Sequence, residues 1–194
     1  PLGVPPVAAL DRWTPRAADP EQWETTLTAL TPLLDRRFGG EWRGRFERLD
    51  EDAAAMSETL ARQPFVLVHC DPHLDNVLWR PDGSTVLLDW SSARLGPAAV
   101  DVAPLLSSLC FTDRPSVRPD EVIDALSEPD DPLRVEAVRA ALTRLIRGQL
   151  GWAGRPDAAA AHPRVDALLD DAFGRIERAI GWLDLGVVSG RSRR

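Results

Sequence analysis

Phe65-Val66-Leu67-Val68-His69-Cys70-Asp71-Pro72-His73-Leu74-Asp75-Asn76-Val77-Leu78 is the stretch that decides the fold of this chain. Four apolar residues of strand composition deliver a polar loop, His69 to Asn76, and a second apolar run leaves it. Val77-Leu78-Trp79 and Thr85-Val86-Leu87-Leu88 flank Pro81-Asp82-Gly83-Ser84, a turn with Gly late in it, and the two runs read as a β-hairpin. The hairpin returns the chain so that Asp89 lies beside the loop. Three oxygen-bearing side chains, Asp71, Asn76 and Asp89, are therefore expected to converge at one edge of the hairpin.

On both sides of this segment the pattern is helical. Asp19-Pro20-Glu21 reads as a helix start, with Asp at the cap and Pro in the first turn. Trp23, Leu27, Leu30, Leu33 and Leu34 follow at helical spacing, and Gly39-Gly40 stops that helix. A second helix is expected from Glu41 to Arg62, with Trp42, Phe46, Leu49, Ala53, Met56 and Leu60 on one stripe. Pro64 breaks it. After Asp89-Trp90 a loop is expected through Gly96-Pro97. Helices then follow near Ala98–Leu109, Pro119–Leu126, Pro132–Trp152 and Pro163–Leu185, with a short loop or turn at Asp157–Ala161. Residues 1–19, rich in Pro and Ala, read as an extended lead-in, and residues 191–194 as a frayed tail. Residues 20–190 are expected to form one lobe, with the functional loop at 65–103 and a helical subdomain at 98–185. The expected architecture is mainly α with a small central β-hairpin.

Composition narrows the function. The chain has 194 residues and a formal charge of -7. An acidic surface opposes general nucleic-acid binding, which needs a basic face. No apolar run approaches the ~18 residues of a membrane span. Cys70 and Cys110 are too few for a disulfide framework and lack zinc-site spacing, so a reducing cytoplasm is the simplest setting. Every basic side chain is Arg; the sequence contains no Lys.

The expected cluster suits phosphoryl transfer. Mg²⁺ takes hard oxygen ligands, bridges nucleotide phosphates and uses one or two protein groups, which Asn76 and Asp89 can supply. A separate carboxylate, Asp71, can orient a substrate hydroxyl and accept its proton.

At these residues the sequence resembles a known superfamily. His69-x-Asp71-x-x-x-x-Asn76 matches the His-x-Asp-x-x-x-x-Asn loop of the aminoglycoside phosphotransferase and choline kinase superfamily. Leu88-Asp89-Trp90 is similar to its Ile/Leu-Asp-Trp, and Gly96-Pro97-Ala98-Ala99-Val100-Asp101-Val102-Ala103 to its Gly-x-Pro-x-x-Asp-Leu-Ala. The resemblance implies a protein-kinase-like C-terminal lobe that transfers the γ-phosphoryl of ATP or GTP to a hydroxyl of a small molecule, such as an aminoglycoside-type antibiotic. It implies that Asp71 is the base, that Asn76 and Asp89 hold Mg²⁺, that His69 and Asp101 brace the loop, and that Leu78 and Leu88 lie against the nucleotide base. Two departures stand out. Cys70 occupies a position where Gly is common, and Pro72-His73-Leu74-Asp75 replaces Leu-His-Pro-Gly. Members also carry an N-terminal sheet lobe with a phosphate-pairing Lys. The 68 residues before His69 read as coil and helix, without a Lys, so the chain is expected to be the C-terminal lobe alone and inactive by itself.

Two other readings compete. His69, Asp71, His73 and Asp75 alternate like ligands of a metallohydrolase, with His162 the remaining imidazole. A lobe without its nucleotide half could also serve as a pseudokinase-like binding module. Of the seven Trp residues, most read as core, with Trp23, Trp42 and Trp182 on helix stripes, Trp79 in the hairpin and Trp90 beside the site. Glu128–Asp131 and Asp170-Asp171 are acidic clusters of the kind that meets a polycation, though solvated helix ends account for them as well. His73 reads as a loop histidine and Cys110 as a buried helical residue.

Overall fold

The structure is a computed structural model that describes residues 10–14, 20–51, 53–115, 117–126, 132–154 and 165–190. Most of the lead-in, the Asp19 cap, the Glu128–Asp131 cluster, the Asp157–Ala161 turn, His162 and the tail lie outside the described residues. Among the described residues there are seven α-helices: α1 Pro20–Phe38, α2 Trp42–Glu51, α3 Ala53–Ala61, α4 Ala99–Leu109, α5 Pro119–Leu126, α6 Pro132–Ala153 and α7 Val165–Gly190. Four short strands, β1 Phe65–Val68, β2 Val77–Trp79, β3 Thr85–Leu87 and β4 Arg94–Pro97, pair as two antiparallel ribbons, β1 with β4 and β2 with β3.

The helices form where the stripes predict. Trp23, Leu27, Leu30 and Leu34 of α1 are buried. The helix ends where Gly39 takes a positive φ of 68°, a conformation that costs Gly little. The expected Glu41–Arg62 helix is present as helical residues on both sides of Asp52, which lies outside the described residues. A 3₁₀ turn spans Gly39–Glu41 ahead of it, and α2 and α3 carry the helical residues that follow. Trp42 and Phe46 of α2 and Leu60 of α3 still face the core, and Trp42 Nε1 donates to Asp35 at 2.6 Å. The centre of the lobe is α6, packed against α3, α4, α1 and α7. Its buried Ala137, Ala140 and Ala141 let the neighbouring helices approach closely, and Leu142, Ile146 and Leu150 fill the space between them. Truncating any of these large side chains to Ala costs about 2–5 kcal/mol at a site this buried.

The expected loop through Gly96-Pro97 is instead a strand. β4 pairs with β1 in the register Phe65 with Pro97, Val66 with Gly96, Leu67 with Leu95 and Val68 with Arg94. Its other edge is taken by the lead-in. Trp13 N–H donates to Leu95 O at 2.7 Å, and Leu95 N–H donates to Asp11 O at 3.0 Å, which makes a parallel rung. Trp13 is buried, edge-on to Phe65, with the Arg144 guanidinium 4.8 Å from its ring centre. Gly96 makes this approach possible, because a Cβ there would sit 2.9 Å from Trp13 Cβ and 3.1 Å from Val68 Cγ2. The first of these atoms is close to the backbone and cannot swing aside. Gly96→Ala is therefore expected to destabilise the chain by about 1–3 kcal/mol, read as a lower urea midpoint; an unchanged midpoint would show that the lead-in is free to shift.

The β2–β3 hairpin stands in the predicted place, with Val77 opposite Leu87, Leu78 opposite Val86 and Trp79 opposite Thr85. Gly83 has a φ of 82° in the turn, and Asp82 accepts from the Ser84 N–H and hydroxyl. Trp79 departs from the core reading: it is 67% exposed. Cys110 follows the last turn of α4 and is buried, which pushes its thiol up to about 11.

Candidate active site

β1 ends at Val68, and the next two backbone N–H groups, those of His69 and Cys70, both point at one carboxylate. His69 N–H donates to Asp101 Oδ2 at 2.8 Å, and Cys70 N–H donates to Asp101 Oδ1 at 2.7 Å. Asp101 lies in the first turn of α4, where a carboxylate also meets the positive end of the helix dipole. That helix is anchored in the core by Ala99, Ala103 and Leu106. Asp101 therefore ties the start of the loop to a helix that is anchored in the core.

His69 supplies a second tie. It is fully buried; Nε2 lies 2.6 Å from Leu88 O, and Nδ1 accepts from Asp71 N–H at 3.3 Å. A carbonyl can only accept and a backbone N–H can only donate, so the tautomer with its proton on Nε2 satisfies both. The imidazole thus joins the loop to the residue before Asp89. The Trp90 ring packs edge-on against it at 4.7 Å, and Trp90 Nε1 donates to Leu87 O at 2.9 Å. With both nitrogens engaged in the protein's own bonds, His69 is not disposed to ligate a metal. The alternation that suggested a metallohydrolase does not gather either: among the described residues, no group of three or more His, Cys, Asp or Glu is placed to hold a metal ion.

Of the three predicted oxygen-bearing residues, Asn76 is hydrogen-bonded to the Asp71 backbone, and Asp89 follows the residue that pairs with Asn76. Both amide protons of Asn76 Nδ2 have acceptors, Asp71 O at 2.9 Å and His73 Nε2 at 3.1 Å, which leaves Oδ1 as its remaining polar atom. Leu88 N–H donates to Asn76 O at 2.8 Å, so the β2–β3 ladder continues one step and brings Asn76 opposite Leu88, with Asp89 next in line. The Asp71 side chain is half exposed, its Oδ2 3.6 Å from His73 Nε2. His73 Nδ1 also lies 3.7 Å from Asp75 Oδ2, so the ring sits between two carboxylates. The Asp75 side chain itself is almost wholly solvent-exposed.

Asp89 has a left-handed backbone, φ 53° and ψ 68°, and its Oδ1 accepts from Ser91 Oγ at 2.6 Å and Ser91 N–H at 3.3 Å. These bonds, the hydroxyl's first, hold its carboxyl below the usual aspartate range. Leu78 and Leu88, expected against a nucleotide base, are 50% and 43% exposed and so present apolar surface to solvent beside the cluster.

Sequence reasoning missed Ser91. The available signal was a Ser two residues after an Asp, the spacing of a local side-chain-to-backbone turn. Cys70, which stands where the resembled motif commonly has Gly, has a φ of 69°, where Gly is at ease and a side chain costs about 1–2 kcal/mol. Cys70→Gly is therefore expected to hold or raise the melting temperature, whereas Cys70→Val, branched at Cβ, lowers it. A clear drop on Cys70→Gly would mean that the half-buried thiol contributes more than the strained backbone costs.

A helical lobe with an antiparallel ribbon leading into an Asp- and Asn-bearing loop, followed by a hairpin and a second Asp, has the fold of the kinase-like small-molecule phosphotransferases. The sequence model of the phosphotransferase enzyme family matches residues 3–138, and the chain belongs to that family. Among solved structures it is similar to spectinomycin phosphotransferase APH(9)-Ia in complex with ADP and spectinomycin, at 16% identity and a TM-score of 0.58, over 92% of this chain and 59% of that one. It is also matched to choline kinase LicA from Streptococcus pneumoniae, at 14% identity and a TM-score of 0.48, over 92% of this chain and 58% of that one. The chain thus spans about three fifths of the length of these relatives. Among the described residues no helix is long and apolar enough to cross a membrane.

Proposed function

We propose that this chain is the catalytic lobe of a phosphotransferase that moves the γ-phosphoryl of ATP or GTP to a hydroxyl of a small molecule. The observation that carries this reading is the placement of Asp71, Asn76 and Asp89 around one hairpin, on a loop fixed by His69 and Asp101. Asp71 orients the acceptor hydroxyl and takes its proton. Its backbone is held at both ends, the N–H by His69 and the carbonyl by Asn76, so the carboxylate is presented without a reorganisation of the loop.

The donor set suits Mg²⁺. Asn76 Oδ1 and the Asp89 carboxylate are hard oxygens of the kind this cation takes. When bound, Mg²⁺ neutralises charge on the nucleotide phosphates. Leu78 and Leu88 offer the apolar surface on which a base would rest. We further propose that turnover requires a second, sheet-bearing lobe with the Lys that pairs with the phosphates. In support, the sequence has no Lys, and described residues 20–61 are helical throughout. By itself the chain should then show little or no phosphorylation of any acceptor.

The acceptor class to test first is the aminoglycoside-type antibiotics, followed by choline, sugars and nucleosides. The experiment is a panel of these hydroxyl compounds with [γ-³²P]ATP and with GTP, run on this chain and on a protein joining it to a nucleotide-binding lobe. Transfer to one acceptor class by the joined protein supports the reading. Robust transfer by the chain alone overturns the need for a second lobe. Nucleotide binding with no transfer to any acceptor favours the pseudokinase-like module.

A further inference from the structure

We propose that Ser91 is a positioning residue for the metal ligand Asp89: its hydroxyl takes one carboxylate oxygen so that the other is presented to the cation. The proposal rests on the reading of Asp89 as a ligand and adds a residue that the three sequence motifs do not contain. The Asp89 side chain is exposed, and no packing fixes its torsions. What fixes them is Ser91, through the short 2.6 Å bond from Oγ and the longer 3.3 Å bond from N–H, both to Oδ1. A carboxylate held by one oxygen keeps its other oxygen, Oδ2, oriented. Left with the long bond alone, it rotates, and that freedom must be surrendered each time a cation binds.

The hydroxyl has little else to do. Ser91 is exposed and lies in a single 3₁₀ turn, Trp90–Ser92. The closure of that turn, Ala93 N–H to Trp90 O at 3.1 Å, uses backbone only. The Trp90 ring is fixed separately, by its bond to Leu87 O and its packing on His69. Ser91→Ala therefore removes one hydrogen bond to a ligand and leaves the turn, the backbone N–H contact and the core in place. Groups that orient a metal ligand typically change affinity 10–100-fold when removed, and a single exposed hydroxyl belongs at the low end, about tenfold.

The test is Mn²⁺ titration of the 194-residue chain with ADP present, followed by site-specific paramagnetic broadening of backbone amide signals, for wild type, Ser91→Ala, Ser91→Thr and Asp89→Asn. Broadening centred on residues 88–91 in the wild type gives the Mn²⁺ affinity. Asp89→Asn should abolish it, Ser91→Ala should weaken it about tenfold, and Ser91→Thr, which keeps the hydroxyl, should restore it to within about threefold of wild type. The diamagnetic spectra report any loss of fold. If Asp89→Asn abolishes broadening while a folded Ser91→Ala binds as wild type, Ser91 has no positioning role and Asp89 remains a ligand. If Asp89→Asn binds unchanged, or if the wild type shows no localised broadening, the reading of Asp89 as a ligand fails and the role of Ser91 fails with it. A Thr variant as weak as the Ala variant also overturns the proposal, because it shows that the site needs the small side chain rather than its hydroxyl.

Discussion

Asp71→Asn, in a protein that joins this lobe to a nucleotide-binding lobe, is expected to lower kcat by about 10²–10⁴-fold while the dissociation constant for ADP changes by less than about threefold. The substitution keeps the shape of the side chain and both backbone bonds, the N–H to His69 and the carbonyl to Asn76. What it removes is the ability to accept a proton from the acceptor hydroxyl. Nucleotide affinity should survive because the groups proposed to meet the phosphates and the base, Asn76, Asp89, Leu78 and Leu88, are untouched. The split between kcat and binding is the informative part. A mere loss of loop structure would weaken both, since Asn76 hangs on the Asp71 carbonyl. Turnover within threefold of wild type would remove Asp71 from the role of base.

Much of this was legible in the sequence because it is local. The β2–β3 hairpin is set by a turn with Gly83 where φ is positive, and the helix stripes are set by spacing. The triad Asp71, Asn76 and Asp89 follows from one strand, one loop and one hairpin, all within 25 residues, so no long-range contact had to be guessed. The failures share a different cause. β4 does not declare itself in the sequence, because Leu95-Gly96-Pro97 is too short and too rich in turn residues to signal a strand. Its pairing comes from partners distant in sequence, β1 on one side and the Trp13 segment on the other. Gly in a strand often marks the close approach of another backbone, and Gly96 does so here, but a lone sequence does not say whose.

The 41–62 segment was legible for the same local reason as the other helices: its apolar stripe marks α2 and α3 alike. In the site, Cys70 and Asp89 both take left-handed backbone conformations, and neither residue type signals them as Gly would. The tautomer of His69 and the Ser91 bond likewise depend on which atoms face each other, which only coordinates supply.

Asp101→Asn is expected to destabilise the fold by about 2–4 kcal/mol and to release the loop that begins at His69. The size follows from what the carboxylate does. As an acid in the first turn of α4, it is worth about 0.3–1 kcal/mol through the helix dipole alone. As the acceptor of two backbone N–H groups at 2.8 and 2.7 Å, it makes two charge-assisted bonds, each worth about 1.5–3 kcal/mol. Asn keeps one oxygen but turns an NH₂ toward the other N–H, so either His69 or Cys70 is left with a donor facing a donor. Urea unfolding measures the total, and a loss below about 1 kcal/mol would assign Asp101 to the helix end only. Amide exchange separates the two terms. The His69 and Cys70 amides should lose protection well beyond the change in global stability, while the amides of Ala103 and Leu106 in the same helix follow the global value. Loop release also sets the functional cost. The Asp71 carboxylate begins one residue beyond Cys70, so freeing that N–H removes the anchor from which the proposed base is aimed. The kcat of the joined protein should then fall even under conditions where the variant is fully folded.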